Sequence, residues 1–152
     1  MLPTVHFFVY GTLKRGQCRA KCWPLPALDI KVAWTFGQLY DLGPYPALLA
    51  DGRPTADRVV GQLWTFRLTD FLVITSKLDQ IEGTNQSNAP NEYDRVQLTV
   101  TILESGEQVK AQCYVYAVAN KLRRTARRVS ATLQQGQQQY VVWPDNATWM
   151  DQ

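Results

Sequence analysis

Apolar residues recur at every second position, or in short unbroken runs, along most of this chain. This pattern predicts strands over residues 5–10, 32–41, 47–49, 58–67, 94–103 and 109–118. Only residues 69–82 follow a helical period, with apolar side chains at Phe71, Ile74, Leu78 and Ile81. One helix among six or seven strands predicts an α+β fold with a curved or barrel-like sheet.

Turn-forming residues separate these elements. Gly83 follows the helix where a left-handed cap favours glycine, Asp51-Gly52 is typical of a hairpin turn, and a polar loop covers residues 84–92. Residues 1–119 hold all the predicted elements and form one domain. Residues 120–152 are a C-terminal extension, basic and then aromatic, that we expect to pack on the same domain.

Composition indicates an ordinary globular protein. The chain has 152 residues, of which 45% are hydrophobic and 19% charged, enough for one domain with a core of normal size. The net charge is +3, but the excess of positive charge lies in one segment: residues 121–128 carry five cationic side chains, and the remainder of the chain has a net charge of −2. We expect this basic run to be a solvated helix face; binding to nucleic acid or to an anionic surface is the alternative.

The sequence contains no membrane or export signal. No apolar run approaches the roughly 18 residues of a membrane-spanning helix, and no basic segment followed by an apolar one opens the chain. We therefore expect a cytoplasmic protein without a membrane partner. The oligomeric state stays open.

Several kinds of catalytic site are excluded by the residues that would have to form them. The cysteines Cys18, Cys22 and Cys113 match neither a redox nor a zinc motif, and His6 is the one histidine. No serine lies in a GxSxG motif, and neither a P-loop nor a GxGxxG motif is present. We therefore expect no metal site and no phosphate-binding glycine loop. If the protein is an enzyme, its acid–base chemistry falls to a carboxylate, a tyrosine or the backbone.

Glu82 is the polar residue whose position fits a purely structural role least well. On a wheel of about 100° per residue it lies about 40° from Leu78, inside the apolar stripe of the predicted helix. Burial and the negative end of the helix dipole both raise the pKa of such a carboxyl, as a general acid–base residue requires. Three alternatives stay open: the helix ends a turn earlier, the side chain reaches solvent, or it pairs with an arginine such as Arg95.

The segment Tyr10-Gly11-Thr12-Leu13 is the second candidate site. A strand that ends at glycine can turn so that backbone N–H groups point into a cleft, where they bind an anion such as a carboxylate. An ordinary strand exit with a glycine turn is the alternative.

Six motifs follow one another in order between residues 5 and 118. They are FVYGTLKRG (8–16), LYDLGPYPAL (39–48), VGQLW (60–64), LDQIEG (78–83), YDRV (93–96) and AQCYVY (111–116). Together they resemble the gamma-glutamylcyclotransferase-like family, which includes gamma-glutamylaminecyclotransferases and AIG2-like proteins. The combination of these motifs at these spacings makes the resemblance specific.

This resemblance implies a small mixed β-barrel with flanking helices, in which the backbone of residues 10–13 binds the substrate and Glu82 is the single catalytic glutamate. It implies a gamma-glutamyl cyclotransferase, which cyclises a gamma-glutamyl amine or gamma-glutamyl amino acid to 5-oxoproline and releases the amine. That chemistry needs no cofactor, because the substrate supplies its own nucleophile. Tyr93 and Tyr116 are candidate substrate-binding residues, with packing as the alternative.

Two regions depart from the family pattern. Loop 84–92 is longer than the usual link and, beside Glu82, would act as a lid or change the size of substrate accepted. The extension after about residue 120 has no counterpart in the core pattern. A non-catalytic module that binds a small carboxylate on the same fold is the alternative function, and a role set by the basic extension is a second alternative.

Overall fold

The computed structural model describes residues 2–50, 57–130, 133–135 and 138–144; the predicted turn at Asp51-Gly52 and the aromatic end beyond residue 144 lie outside them. The strands are β1 (Thr4–Val9), β2 (Asp29–Asp41), β3 (Pro46–Ala50), β4 (Asp57–Arg67), β5 (Tyr93–Ile102), β6 (Gln108–Tyr116), β7 (Arg127–Arg128), β8 (Leu133–Gln135) and β9 (Gln138–Val141). The helices are α1 (Phe71–Glu82) and α2 (Ala119–Thr125), with 3-10 turns at Ala20–Cys22 and Leu68–Asp70. Within the described residues, no helix has the length and apolar character that crossing a membrane requires.

Five of the strands close a barrel. Neighbouring strands pair in the order β2, β5, β6, β1, β4 and back to β2. The β1–β6 pair is parallel, with Phe7 opposite Gln112, while the other four pairs are antiparallel. β3 and β7 extend the sheet beside β2, and β9 and β8 extend it beside β4. The predicted α+β fold, a small mixed barrel with flanking helices, is therefore confirmed.

The predicted elements lie close to the observed ones. The six predicted strands correspond to β1 to β6, with ends that differ by up to three residues. The helix predicted over residues 69–82 begins at Phe71, because the 3-10 turn at Leu68–Asp70 precedes it. The very short β7, β8 and β9 were not predicted, since two to four residues carry no readable alternation.

The core shows why the second half of β1, Phe7 to Val9, is continuously apolar. Its alternate side chains enter two clusters: Phe7 and Val9 pack in the cluster that holds Ile74 and Leu78 of α1, whereas Phe8 packs in a second cluster drawn from the barrel strands. All five of these side chains are buried. Both faces of β1 are thus covered, and the strand fixes the cleft described below at its carboxyl end.

The basic run forms two different elements. Its first part is α2, in which Arg123 and Arg124 are exposed, and its end is β7 beside β2. The last two arginines bind carboxylates of the barrel: Arg127 Nη2 lies 2.7 Å from Asp41 Oδ2, and Arg128 Nη2 lies 3.0 Å from an Asp57 carboxylate oxygen. Part of this charge therefore fastens the C-terminal extension to the sheet.

Lys14 joins the turn after β1 to the other end of the described chain. Its side chain is fully buried, and Nζ donates a hydrogen bond to the carbonyl of Trp143 at 2.7 Å. The C-terminal extension therefore packs against the segment that carries the YGTL motif.

Candidate active site

A cleft with an empty volume of about 570 Å³ opens where β1 ends. It brings together the turn after β1, the residues before β3, the last turn of α1 and the start of β5. The lining residues are Phe8, Val9, Tyr10, Gly11, Thr12, Leu13, Arg19, Tyr45, Pro46, Ile81, Glu82, Glu92, Tyr93 and Tyr114. Residues 10–13, Glu82 and Tyr93, which the sequence separates by up to 83 positions, therefore share one cavity.

The end of α1 determines where Glu82 lies. Gly83 follows in the left-handed region, with φ 63° and ψ 42°, a conformation that residues with a Cβ adopt at a cost. The N–H of Thr84 then bonds back to the carbonyl of Asp79 at 2.8 Å. The helix therefore stops directly after Glu82, and its final side chain lies in the cleft.

The carboxyl group of Glu82 is largely removed from water. Burial raises its pKa to about 7 from the ordinary 4.5; the positive charge of Arg19 opposes this shift and the negative charge of Glu92 adds to it. Among the described residues no side chain donates a hydrogen bond to this carboxyl, and Arg95 does not pair with it. The group thus exchanges protons near neutral pH, as general acid–base catalysis needs.

The Asp79 carboxylate anchors the same turn of α1. It accepts hydrogen bonds from the hydroxyl of Tyr114 on β6 and from the guanidinium of Arg95 on β5. The helix end is therefore held on two barrel strands, and the position of Glu82 relative to the cleft is fixed.

The peptide groups of residues 11–13 form the opposite wall. The Gly11 carbonyl accepts from the N–H of Lys14 at 3.1 Å, and the Thr12 carbonyl accepts from the N–H of Arg19 at 2.8 Å. In a trans peptide the N–H points opposite to the carbonyl, so the N–H groups of Thr12 and Leu13 turn away from these bonds. Both residues line the cleft. Among the described residues neither N–H donates to a protein acceptor. This wall has the donor geometry of an anion-binding turn.

Gly11 is required by the close approach of Pro46. A Cβ at residue 11 would lie 2.6 Å from Pro46 Cγ and 2.7 Å from Pro46 Cδ, distances that real Cβ atoms do not tolerate. The absence of a side chain lets the turn after β1 pack directly on the start of β3. The two walls of the cleft are held together in this way.

The buried tyrosine hydroxyls of the cleft are engaged in hydrogen bonds. Tyr10 donates to the Tyr114 carbonyl at 2.6 Å and accepts from the Leu48 N–H at 3.2 Å, and Tyr93 donates to the Pro46 carbonyl at 2.7 Å. Burial raises the pKa of both Tyr10 and Tyr93. These hydroxyls stay protonated and brace the walls, which leaves Glu82 as the cleft's proton-exchanging group near neutral pH.

Tyr116 lies one step behind Tyr93. The two rings meet edge to face, with centroids 5.5 Å apart at 89°, and Tyr116 does not line the cleft. Tyr93 itself lines it and packs 6.4 Å from the ring of Tyr45. The predicted pair thus divides into one lining residue and one that supports it.

Arg19, Tyr45 and Glu92 form the cleft mouth, and the sequence did not single them out. Tyr45 Oη donates to Glu92 Oε2 at 2.9 Å, and the Arg19 guanidinium lies 5.9 Å from the centroid of the Tyr45 ring. Glu92 closes loop 84–92, whose end is tied back where the Glu92 N–H donates to the Gly83 carbonyl at 3.1 Å. Tyr45 belongs to the motif LYDLGPYPAL, and Glu92 directly precedes the motif YDRV. Arg19 lies in an irregular segment that matches none of the family motifs.

Metal-binding groups do not gather in the cleft. Within the described ranges, no cluster of three or more histidine, cysteine, aspartate or glutamate side chains could hold a metal ion. His6 lies at a different place, where its Nδ1 shares a 2.8 Å hydrogen bond with Thr65 Oγ1. The three cysteines are free.

The site therefore combines a closed mixed barrel, a carboxyl group whose pKa is about 7 and a cleft that this carboxyl shares with the backbone of residues 11–13. The family model described as "Gamma-glutamyl cyclotransferase, AIG2-like" matches residues 7–143 of this chain. The chain therefore belongs to the gamma-glutamyl cyclotransferase, AIG2-like family. Family and fold support a cyclotransferase-type enzyme acting on a small gamma-glutamyl molecule.

Solved structures agree with this assignment. The crystal structure of an AIG2-like protein from Mus musculus is 26% identical with a TM-score of 0.57, and the match covers 79% of this chain and 82% of that one. A protein from Arabidopsis thaliana is 27% identical with a TM-score of 0.54, covering 75% and 62%. A yeast gamma-glutamyl cyclotransferase specific to glutathione, at 11% identity, TM-score 0.51 and coverage of 74% and 69%, shares the fold alone. Among curated proteins no relative matches.

Proposed function

We propose that this protein is a gamma-glutamyl cyclotransferase that converts a gamma-glutamyl amine or gamma-glutamyl amino acid to 5-oxoproline and releases the amine. The observation that carries the proposal is the position of Glu82: a carboxyl group with a pKa of about 7, in a cleft whose other wall is the backbone of residues 11–13. Glu82 supplies a proton-exchanging group on one side of a bound small molecule, and the backbone of residues 11–13 supplies fixed N–H donors on the other side.

The glutamyl part of the substrate binds between these two walls. The N–H groups of Thr12 and Leu13 bind an anionic oxygen, either the α-carboxylate or the oxyanion that develops on the γ-carbonyl. The α-ammonium group faces Glu82, whose ionised carboxylate is its natural partner. The leaving amine then extends towards the cleft mouth, where Arg19 and Glu92 lie.

The reaction needs one carboxylate. Glu82 takes a proton from the α-ammonium, and the freed amine attacks the γ-carbonyl carbon to close a five-membered ring. Glu82 passes this proton to the leaving nitrogen, and the C–N bond breaks as the carbonyl re-forms. The Glu82 carboxylate then takes the second proton from the ring nitrogen and transfers it to the released amine. The products are 5-oxoproline and an ammonium ion, so charge and protons balance across the step.

Enclosure of the substrate contributes to the rate in addition to acid–base chemistry. The substrate chain is flexible in water, and a cleft that holds it folded brings amine and carbonyl into contact, which is worth a large effective concentration. The braced hydroxyls of Tyr10 and Tyr93 keep the walls rigid, so the geometry is set before the substrate binds.

The test is an assay for 5-oxoproline with a panel of gamma-glutamyl amines and dipeptides. Wild-type protein is compared with Glu82→Gln, which keeps the shape of the side chain and removes its proton exchange, and with Glu104→Gln in the exposed β5–β6 turn. We expect product from wild type and Glu104→Gln, and none from Glu82→Gln, whose melting temperature should not fall below that of wild type.

A fully active Glu82→Gln variant contradicts the proposed mechanism. Thermal stabilisation of wild type by gamma-glutamyl compounds without any product contradicts the proposed activity, and it identifies the alternative, a module that binds a small carboxylate. The order of rates across the panel ranks the leaving groups.

A further inference from the structure

Trp23 lies directly behind the donor wall of the cleft. Its indole is buried, and Nε1 donates a hydrogen bond to the carbonyl of Leu13 at 2.9 Å. The ring stacks on Trp64 with centroids 4.5 Å apart and planes 10° from parallel, and it meets the edge of Phe7 at 6.0 Å. The indole N–H is therefore held at a fixed point by rings on two strands.

The hydrogen bond of Trp23 begins a relay through two peptide groups. The Leu13 carbonyl and the Lys14 N–H belong to one peptide, and that N–H donates to the Gly11 carbonyl at 3.1 Å. The Gly11 carbonyl and the Thr12 N–H belong to the next peptide of the relay. Since N–H and carbonyl point in opposite directions in each trans peptide, the relay starts at the indole and ends at the N–H of Thr12, a residue that lines the cleft.

We propose that Trp23 is a positioning residue, which orients the Thr12 N–H for binding of an anionic substrate oxygen. The identity of the substrate in this inference rests on the proposed function. The direction of the relay rests on the hydrogen bonds themselves. Each hydrogen bond polarises the next peptide, so the indole also makes the final N–H a better donor.

A second bond holds the same turn two residues further on. Gln62 Oε1 accepts from the Arg15 N–H at 2.7 Å and from Trp64 Nε1 at 3.0 Å. Trp64 is the ring on which Trp23 stacks. The two stacked indoles therefore position both hydrogen-bond partners of residues 13–15: Trp23 donates to the Leu13 carbonyl, and Trp64 holds the Gln62 amide oxygen that accepts from the Arg15 N–H. Loss of the Trp23 N–H leaves the Leu13 carbonyl without its donor, so one of the two hydrogen bonds that orient this peptide is lost and only the bond from the Lys14 N–H to the Gly11 carbonyl remains.

The substitution Trp23→Phe tests this role, because it keeps an aromatic ring in the stack and removes the N–H. Trp34→Phe is the matched control, since Trp34 packs on Phe36 and Tyr140 and does not line the cleft. We expect Trp23→Phe to lower kcat/KM for 5-oxoproline formation by roughly 5- to 20-fold, the equivalent of one hydrogen bond. Trp34→Phe should stay within about twofold of wild type.

A readout independent of turnover separates this inference from the proposed function. In amide NMR spectra, titration with 5-oxoproline should shift the Thr12 and Leu13 amide signals and the Trp23 indole signal of wild type. In Trp23→Phe the dissociation constant for 5-oxoproline should rise, while in Trp34→Phe it should not. The comparison can be made even if wild type forms no product from any gamma-glutamyl compound.

Unchanged kcat/KM and unchanged 5-oxoproline affinity in Trp23→Phe overturn the positioning role. If that variant does not fold, the wild-type titration decides: a Trp23 indole signal that ignores the ligand while the Thr12 amide responds also overturns it. Absence of any response at Thr12 and Leu13 overturns the donor wall itself.

Discussion

Arg95 places its Nε 3.0 Å from Oδ1 of Asp79, so its charge pairs with the residue one helical turn before Glu82. The pair lies in a partly buried position, with 23% and 14% of the two side chains exposed. The arginine that could have neutralised Glu82 instead anchors the helix that carries it. Among the described residues, Glu82 is thereby left without an ion pair in its cleft.

The Asp79–Arg95 pair should stabilise the fold. We expect Asp79→Asn to lower the free energy of unfolding by about 1–3 kcal/mol, because it leaves a half-buried guanidinium unpaired and weakens the bond from Tyr114. Urea unfolding measures the change. Asp29→Asn, which breaks an exposed pair with Lys31, should change the stability by less than about 0.5 kcal/mol; equal losses in the two variants would contradict the anchoring role.

The pH dependence of catalysis should follow the titration of Glu82. In the proposed mechanism the carboxylate form of Glu82 removes the first proton, so kcat/KM should rise with pH and level off above the pKa of about 7. Initial rates of 5-oxoproline formation between pH 5 and pH 9 measure this limb. A limb centred near the ordinary value of 4.5 would show that the carboxyl is not buried in the working enzyme.

Substitutions of Arg19 and of Glu92 should shift the acid limb of the pH–rate profile in opposite directions. Arg19 lowers the pKa of Glu82 and Glu92 raises it, so Arg19→Gln should shift the acid limb to higher pH and Glu92→Gln to lower pH. Glu104→Gln, in the exposed β5–β6 turn, should leave it in place. Shifts of the same sign in the two cleft variants would be incompatible with an electrostatic origin.

Glu82 should also make stability depend on pH. Between its ordinary pKa of 4.5 and its folded pKa of about 7, the folded state holds a proton that the unfolded chain has released. The free energy of unfolding therefore falls as pH rises through this interval, by about 3 kcal/mol in all. Glu82→Gln lacks this loss and should be more stable than wild type at pH 8 but not at pH 4; urea unfolding at both pH values checks the difference.

The contact between Gly11 and Pro46 predicts a paired mutational effect. Gly11→Ala should cost roughly 1–3 kcal/mol of stability, because the new methyl group overlaps the proline ring. Pro46→Ala removes Cγ and Cδ, so the double variant should recover most of that loss. A double-mutant cycle of unfolding free energies measures the coupling, and simple additivity would contradict the clash.

Local patterns were enough to predict α1, β1 to β6 and the position of Glu82. Helical spacing and Gly83 defined the helix end, and the wheel placed Glu82 on the apolar side before any contact was known. These features depend on residues close in sequence, which is where amphipathic period and capping act.

The remaining features depend on contacts between distant residues. Nothing local indicates that β1 pairs in parallel with β6, or that Arg19 and Glu92 meet at one cleft mouth. The alternative pairing of Glu82 with Arg95 was wrong, because Asp79 lies on the helix side that faces β5. The ion pair of Arg127 with Asp41 likewise joins residues 86 positions apart.

The bond between Lys14 and the Trp143 carbonyl spans 129 positions of sequence. Because the chain is synthesised from its N-terminus, the YGTL turn exists before its buried partner, and the two can meet only after the intervening positions up to Trp143 have been added. Long-range pairing of this kind slows folding and exposes unfinished sheet to neighbouring chains. A chain shortened before Trp143 would therefore lack the carbonyl that accepts from the buried Lys14 ammonium, and the turn that lines the cleft would lose this anchor.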